Sequence, residues 1–307
     1  MEEKQTMTQA QLEAALSRRR GSITLFKILT YGSGLAAVLL LAAGLVPVAL
    51  ICLVLAFVFG YRLSKNTAAL KTLLSGNIVS GVLREVFEDV EYEPFGRIPD
   101  GTVRGAGMVF PFAYDSIRGS DHIKAVYRGL RLELGDVELY AADSYYDEEL
   151  QQWKQSEKRV FKGQWLVCDF DRPLPGEVRL SENARVLRRQ HKGDCVETES
   201  AAFNAHFLVT AEDARAAREV LTPRRMEDIL AAADRSGGEV YMAFLRGGQL
   251  HVAVQTGRDF FELGKGAADV GQLRQKYLGE LRWFTDIVDT LCREQNSAPF
   301  ILFHAAL

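Results

Sequence analysis

From Ile28 to Tyr61 the chain carries no charged residue. Arg18, Arg19, Arg20 and Lys27 precede this apolar run, and Arg62 and Lys65 follow it. At about 1.5 Å of rise per residue, its about 34 residues would extend roughly 50 Å as one helix. A bilayer core is about 30 Å thick and takes about 20 residues, and tilt absorbs only part of the excess. Gly44-Leu45-Val46-Pro47 sits mid-run, with glycine suited to a helix end and proline to a first turn. The pattern predicts two membrane helices, Thr24 to Ala43 and Val46 to Leu63, joined by a tight turn. Lys27 and Arg62 can snorkel to the interface. Residues 1–20 are polar, with Leu12, Ala15 and Leu16 at helical spacing, and read as a short helix before the membrane.

Beyond the run, Leu70, Leu73, Leu74, Val79, Val82, Leu83, Val86, Phe87 and Val90 recur at spacings of three and four, predicting a helix over 66–90. Pro94, Pro99 and Gly101 end it. Leu130, Leu132 and Leu134 alternate with charged residues as a half-buried strand. Gly135-Asp136 reads as a tight turn, after which Val137, Leu139 and Ala141 resume. Val160 to Phe170 is apolar on both faces, the mark of a central strand. Two helix starts follow: Thr210 to Asp213, resembling a capping box, and Thr222-Pro223, a cap residue before proline. Val240 to Leu245 and Leu250 to Gln255 flank Gly247-Gly248 as a hairpin. Asp269 to Glu294 is an amphipathic helix with Leu273, Tyr277, Leu281, Phe284 and Leu291 on its buried side. The tail from Ser297 is apolar. Strands and helices do not alternate regularly. The fold class is therefore α+β: a transmembrane helical hairpin, then a mainly antiparallel sheet with flanking helices. The expected division is an arm at 1–23, a hairpin at 24–63 and one α+β domain at 64–307.

Charge sets the expected topology. Basic residues flank both outer ends of the hairpin and none lies in its turn, so both termini are expected in the cytoplasm. A signal peptide fits less well, because cleavage after the first apolar half would leave the second as a membrane helix. Residues 1–65 hold seven basic and three acidic residues, which leaves 30 of the 37 basic and 37 of the 40 acidic for the remainder. That acidic remainder is unsuited to nucleic acid. Cys52, Cys168, Cys195 and Cys292 show no zinc-ligand spacing and fit a reducing compartment.

The order Phe161-Lys-Gly163-Gln-Trp165, then Glu197 through Phe203, Phe207-Leu-Val, and Leu221-Thr-Pro223-Arg-Arg-Met226-Glu resembles a bacterial membrane-protein family. It is known as a domain of unknown function (number thirty-one thirty-seven). The resemblance covers roughly residues 110–265. It implies a membrane-anchored cytoplasmic domain and brings no catalytic residues.

Candidate chemistry is thin. Asp169 and Asp171, and Glu197 and Glu199, are acids two apart, which on a strand share a face. Such oxygens suit a hard cation such as Mg²⁺. Exposed acids at a strand end are the plainer reading. Gly32-Ser-Gly34 lies in the apolar run, where small residues permit close helix packing. Gly264-Lys265-Gly266 lacks the Ser or Thr of a phosphate loop. His122, His191, His206, His251 and His304 show no ligand spacing; His206 and His251 read as surface or core-edge residues. Asp121-His122 reads as an element of a polar pocket. Arg185, Arg188, Arg189 and Lys192 form a basic run, read as a solvated loop with lipid headgroups or an acidic partner second. The expected function is a membrane-anchored binding or interaction module with no cofactor. It engages the bilayer through 24–63, with a protein partner or a second copy of the chain open. The alternatives are a membrane-tethered metal-dependent hydrolase using Asp169, Asp171, Glu197 and Glu199, and a structural subunit of a cell-envelope complex.

Overall fold

The computed structural model describes residues 9–147, 152–170, 173–182, 187, 195–262 and 269–292. Asp171, the basic residues Arg185, Arg188, Arg189 and Lys192, Gly264 to Gly266 and the tail from Ser297 lie outside the described residues. Two compact units result: residues 1–85 with 263–277, and residues 86–262 with 278–307.

The first unit is built on a helical hairpin. Helix α1 spans Gln9–Ala42 and α2 spans Val46–Leu74. The expected turn forms where glycine allows it. Gly44 takes φ 75°, the Leu45 amide donates to the Leu40 carbonyl (2.9 Å) and the Gly44 amide to the Leu41 carbonyl (3.0 Å). This crossed pair satisfies carbonyls that a helix end leaves open. Pro47 sits in the first turn of α2. The helices run antiparallel, with the rings of Phe26 and Phe59 6.3 Å apart and Arg19 donating to Asn66 at 3.1 Å. Both are long and apolar enough to cross a membrane. Their outer faces are bare: Tyr31 is 73% and Phe57 79% exposed.

Two sequence expectations change here. The arm before the membrane is not a separate short helix, because α1 is continuous from Gln9. The helix expected over 66–90 contains a wider turn at Ser75–Val79 and resumes as α3, Ser80–Val86; Val90 belongs to the first strand. The physical cause is local. Ser75 and Asn77 return side-chain bonds to the carbonyls of Thr72 and Leu73, and Ser80 reaches Ser75, competing with the regular ladder.

In the second unit, among the described residues, eight strands form one antiparallel sheet. They are β1 (Glu88–Glu93), β2 (Ser116–Tyr127), β3 (Leu130–Asp147), β4 (Gln152–Asp169), β5 (Val178–Glu182), β6 (Phe207–Ala211), β7 (Glu239–Leu245) and β8 (Gln249–Gln255). Their order is β1-β2-β3-β4-β8-β7-β5-β6. Period-two alternation gives β4 two buried faces. Phe161, Trp165 and Val167 share one with Tyr241, Ala243 and Ala253, beneath Ile98, Val103 and Phe110 from the segment holding helix α4 (Asp100–Gly105). The other carries Leu166, Cys168, Val252, Met242 and Phe244, all buried. Further helices among the described residues are α5 (Ala201–His206), α6 (Ala214–Val220), α7 (Pro223–Asp234) and α8 (Val270–Ile287), with residues 278–287 of α8 belonging to this unit. Trp283 of α8 donates to the Ala232 carbonyl of α7 at 3.0 Å. Each fully buried large side chain contributes about 1.5–3 kcal/mol.

Gly135-Asp136 is not a turn. It lies inside β3, and the β2–β3 turn is Arg128-Gly129, both at positive φ. The local signal misleads because Gly135 is there for closeness, its missing Cβ leaving room for Ile98, while Asp136 enters the core. Thr222 caps α7 as expected, accepting from the Arg225 amide. Thr210 caps nothing: it lies in β6, and Asp213 caps α6 by accepting from the Ala216 amide at 2.7 Å.

Gly163 explains the glycine of the Phe161-Lys-Gly163 pattern. A Cβ there would be driven into the Val254 carbonyl of the neighbouring β8. Gly163→Ala is expected to destabilise the protein by about 3 kcal/mol, the upper end of ordinary overpacking, read by chemical denaturation of the purified full chain.

Candidate functional site

The sheet face that buries Trp165 runs out from under its cover toward β1. Register places Glu91, Lys124, Glu133, Val167 and His251 in one row across five strands. Asp169 and Gln249 pair in the next row. Glu91, Lys124, Glu133, Val167, Asp169 and Gln249, with Arg131 and Val126, line an open groove of about 410 Å³. Arg131 pairs with Asp169 at 3.1 Å, and Gln249 donates to Asp169 at 2.9 Å. Glu133 meets His122 Nε2 at 2.6 Å. The groove therefore alternates carboxylates and cations over an apolar floor.

His251, paired with Val167 at the end of this row, is 2% exposed, not at the core edge as its strand position suggests. Trp165 Nε1 donates to its Nδ1 at 3.3 Å, so the neutral ring carries its proton on Nε2. Burial pulls its pKa down to about 4, against the opposing pull of Glu133 and Asp169. Among the described residues Nε2 has no hydrogen-bond partner.

Sequence-predicted acids fall into separate clefts. Asp169 belongs to the groove just described. Glu197 and Glu199 do come together, but on a loop rather than a strand, lining a cleft of about 220 Å³ with Arg218, Leu221 and Met226. Thr198 and Asn204 fix that loop by reciprocal bonds, Thr198 N to Asn204 Oδ1 at 2.9 Å and Asn204 Nδ2 to the Thr198 carbonyl at 2.8 Å. Among the described residues no group of three or more His, Cys, Asp or Glu is arranged to hold a metal ion. Cys52, Cys168, Cys195 and Cys292 are thiols outside any disulfide.

Asp121, read from the sequence as a pocket element, joins a polar constellation with Asp136, which the sequence pattern assigns to a turn. Asp121 and Asp136 are each 1% exposed. A bulge in β2 between Ser120 and Ile123 turns Asp121, at φ 55°, to one face while adjacent His122 meets Glu133 on the other. Tyr92 donates to Asp121 at 2.5 Å, and the Ser120 hydroxyl lies 3.0 Å from Asp121 and 3.4 Å from Asp136. Asp136 accepts from the Phe260 amide at 2.9 Å and from Gln164 at 3.2 Å. Lys162 holds Asp259 at 2.8 Å on the same loop. Burial first, then the negative charges of Asp121 and Asp259, hold the Asp136 carboxyl well above the ordinary carboxylate range.

A carboxyl whose pKa is raised by folding binds its proton more tightly in the folded state. Its stabilising effect is complete below the usual carboxylate pKa and is lost as pH rises toward the raised value. Asp136→Asn stays neutral and keeps an acceptor for Phe260. It is expected to gain on the wild type as pH rises from 4 to 8, by about 1.4 kcal/mol per unit of the shift. Thermal unfolding of the full chain across that range measures this; parallel curves would refute it.

A search of the curated proteins gave no match. Among solved structures, the crystal structure of the mycobacterial trehalose monomycolate transport factor A, TtfA, aligns with 13% identity and a TM-score of 0.33, covering 69% of this chain and 92% of that one. Residues 159–293, from the middle of β4 through the end of the described C-terminal helix, match the family described as protein of unknown function (DUF3137), the family that the Phe161-Lys-Gly163 and Leu221-Thr-Pro223 patterns resemble.

Proposed function

We propose that this protein is a membrane-anchored binding module. Residues 24–63 cross a bacterial cell membrane twice, and residues 1–23 and 64–307 lie in the cytoplasm. The observation that carries this reading is the helix pair whose apolar outer surface is left uncovered by the described residues: Leu35, Val38, Leu39, Val54 and Phe57 are all more than half exposed. Leaving such a surface in water costs roughly 25 cal/mol per Å², so lipid is its favourable solvent. Basic flanks at both outer ends support the cytoplasmic placement of both termini. The polar groove on the sheet is the proposed binding surface, since it joins fixed charges to an apolar floor.

The protein is expected to stay with membranes through alkaline carbonate washing, and tags at both termini should be reached only after the cytoplasmic side is opened. Recovery in the aqueous fraction would sink the anchor. Tags in different compartments would sink the hairpin.

A further inference from the structure

We propose that the open end of the helical hairpin holds the phosphate of an anionic phospholipid, bound by Arg19 and Arg62 with Lys65 beside them. This rests on the anchoring reading above and adds a ligand to it.

Four observations converge. First, charge: Arg19, Arg62 and Lys65 lie in a stretch, between Glu13 and Glu85, whose sequence holds no acidic residue. Second, side. The seam of α1 includes buried Leu16 and half-buried Ile23, and that of α2 includes half-buried Phe59 and Asn66, which meet Phe26 and Arg19 across the pair. Arg19 lies three residues beyond Leu16 and Arg62 three beyond Phe59. Equal offsets on two antiparallel right-handed helices fall on the same side of the pair. Arg20 and Lys27, each four beyond a seam residue, fall on the opposite side. Third, level. Arg19 bonds Asn66, so it stands level with Asn66. Arg62 is one turn from that level, about 6 Å along the axis, within the span of two arginine side chains closing on one phosphate. All three cations are exposed. Fourth, depth. Arg62 is about 16 residues, or roughly 24 Å, beyond the start of α2, near one edge of a core about 30 Å thick. Immediately deeper lie the paired rings of Phe26 and Phe59, and Gly60, where an added Cβ would stand 3.7 Å from the Thr30 methyl, an apolar and small-residue surface suited to acyl chains. Guanidinium forks match phosphate oxygens in geometry as well as charge.

Full-length protein is reconstituted in phosphatidylcholine vesicles with spin-labelled phosphatidylglycerol or spin-labelled phosphatidylcholine, and their relative association is read by electron paramagnetic resonance. A roughly fivefold preference for the glycerol lipid is expected. It should fall to near unity in Arg19→Gln/Arg62→Gln and persist in Arg20→Gln/Lys27→Gln, which removes equal charge from the other side. No preference in the wild type, or equal loss in both variants, overturns the site. Displacement by millimolar inorganic phosphate also overturns it, showing a free-anion site instead. Loss of the protein itself from the vesicles under alkaline carbonate defeats the anchoring reading, a separate outcome.

Discussion

Peptide groups of an apolar run can leave water only if the chain bonds them internally. Residues 28–61 meet this demand with two helices, and the difficult place is the point between them. There the carbonyls of Leu40 and Leu41 are taken up by the amides of Leu45 and Gly44. That return requires the positive φ of Gly44, and Pro47 then opens α2 at no cost in lost bonds. The uncharged sequence, the turn chemistry and the antiparallel seam are thus one solution to one constraint. The basic residues accumulate where the constraint ends.

The sheet obeys a different rule. A strand buried on both faces has no polar side on which to place chemistry, and β4 is such a strand from Phe161 to Cys168. Chemistry therefore gathers where cover stops, at Asp169, or where a bulge breaks the alternation, at Asp121. Both cases show how local backbone irregularity determines which face a charged side chain reaches. Asp136 could not be buried without the Phe260 amide, Gln164 and Ser120, so the loop after β8 and the bulge in β2 stabilise each other through one carboxyl.

Much of this was legible in the amino acids. The hairpin, the central strand, the Thr222 cap and the β7–β8 hairpin each rest on short-range signals: an uncharged run, alternation, a cap before proline, a glycine pair. What misled was glycine used for proximity rather than turning. Gly135 looks like a turn residue, yet it makes room for Ile98 within β3, while the true turn at Arg128-Gly129 carries a weaker signal. His251 was illegible for a related reason, because its burial depends on Trp165, which lies 86 positions away. The acids at Asp169 and Glu197 could be picked out by spacing, but which cleft each lines is set by long-range pairing that spacing does not encode.

The row Glu91, Lys124, Glu133 has a consequence for assembly. A cationic strand position lies between two anionic ones, so β2 meets an opposite charge on either side. Were β1 and β3 to pair directly at this level, like charges would oppose each other, an arrangement that is destabilising across a sheet. Electrostatic proofreading of strand order is thus built into the same side chains that shape the groove.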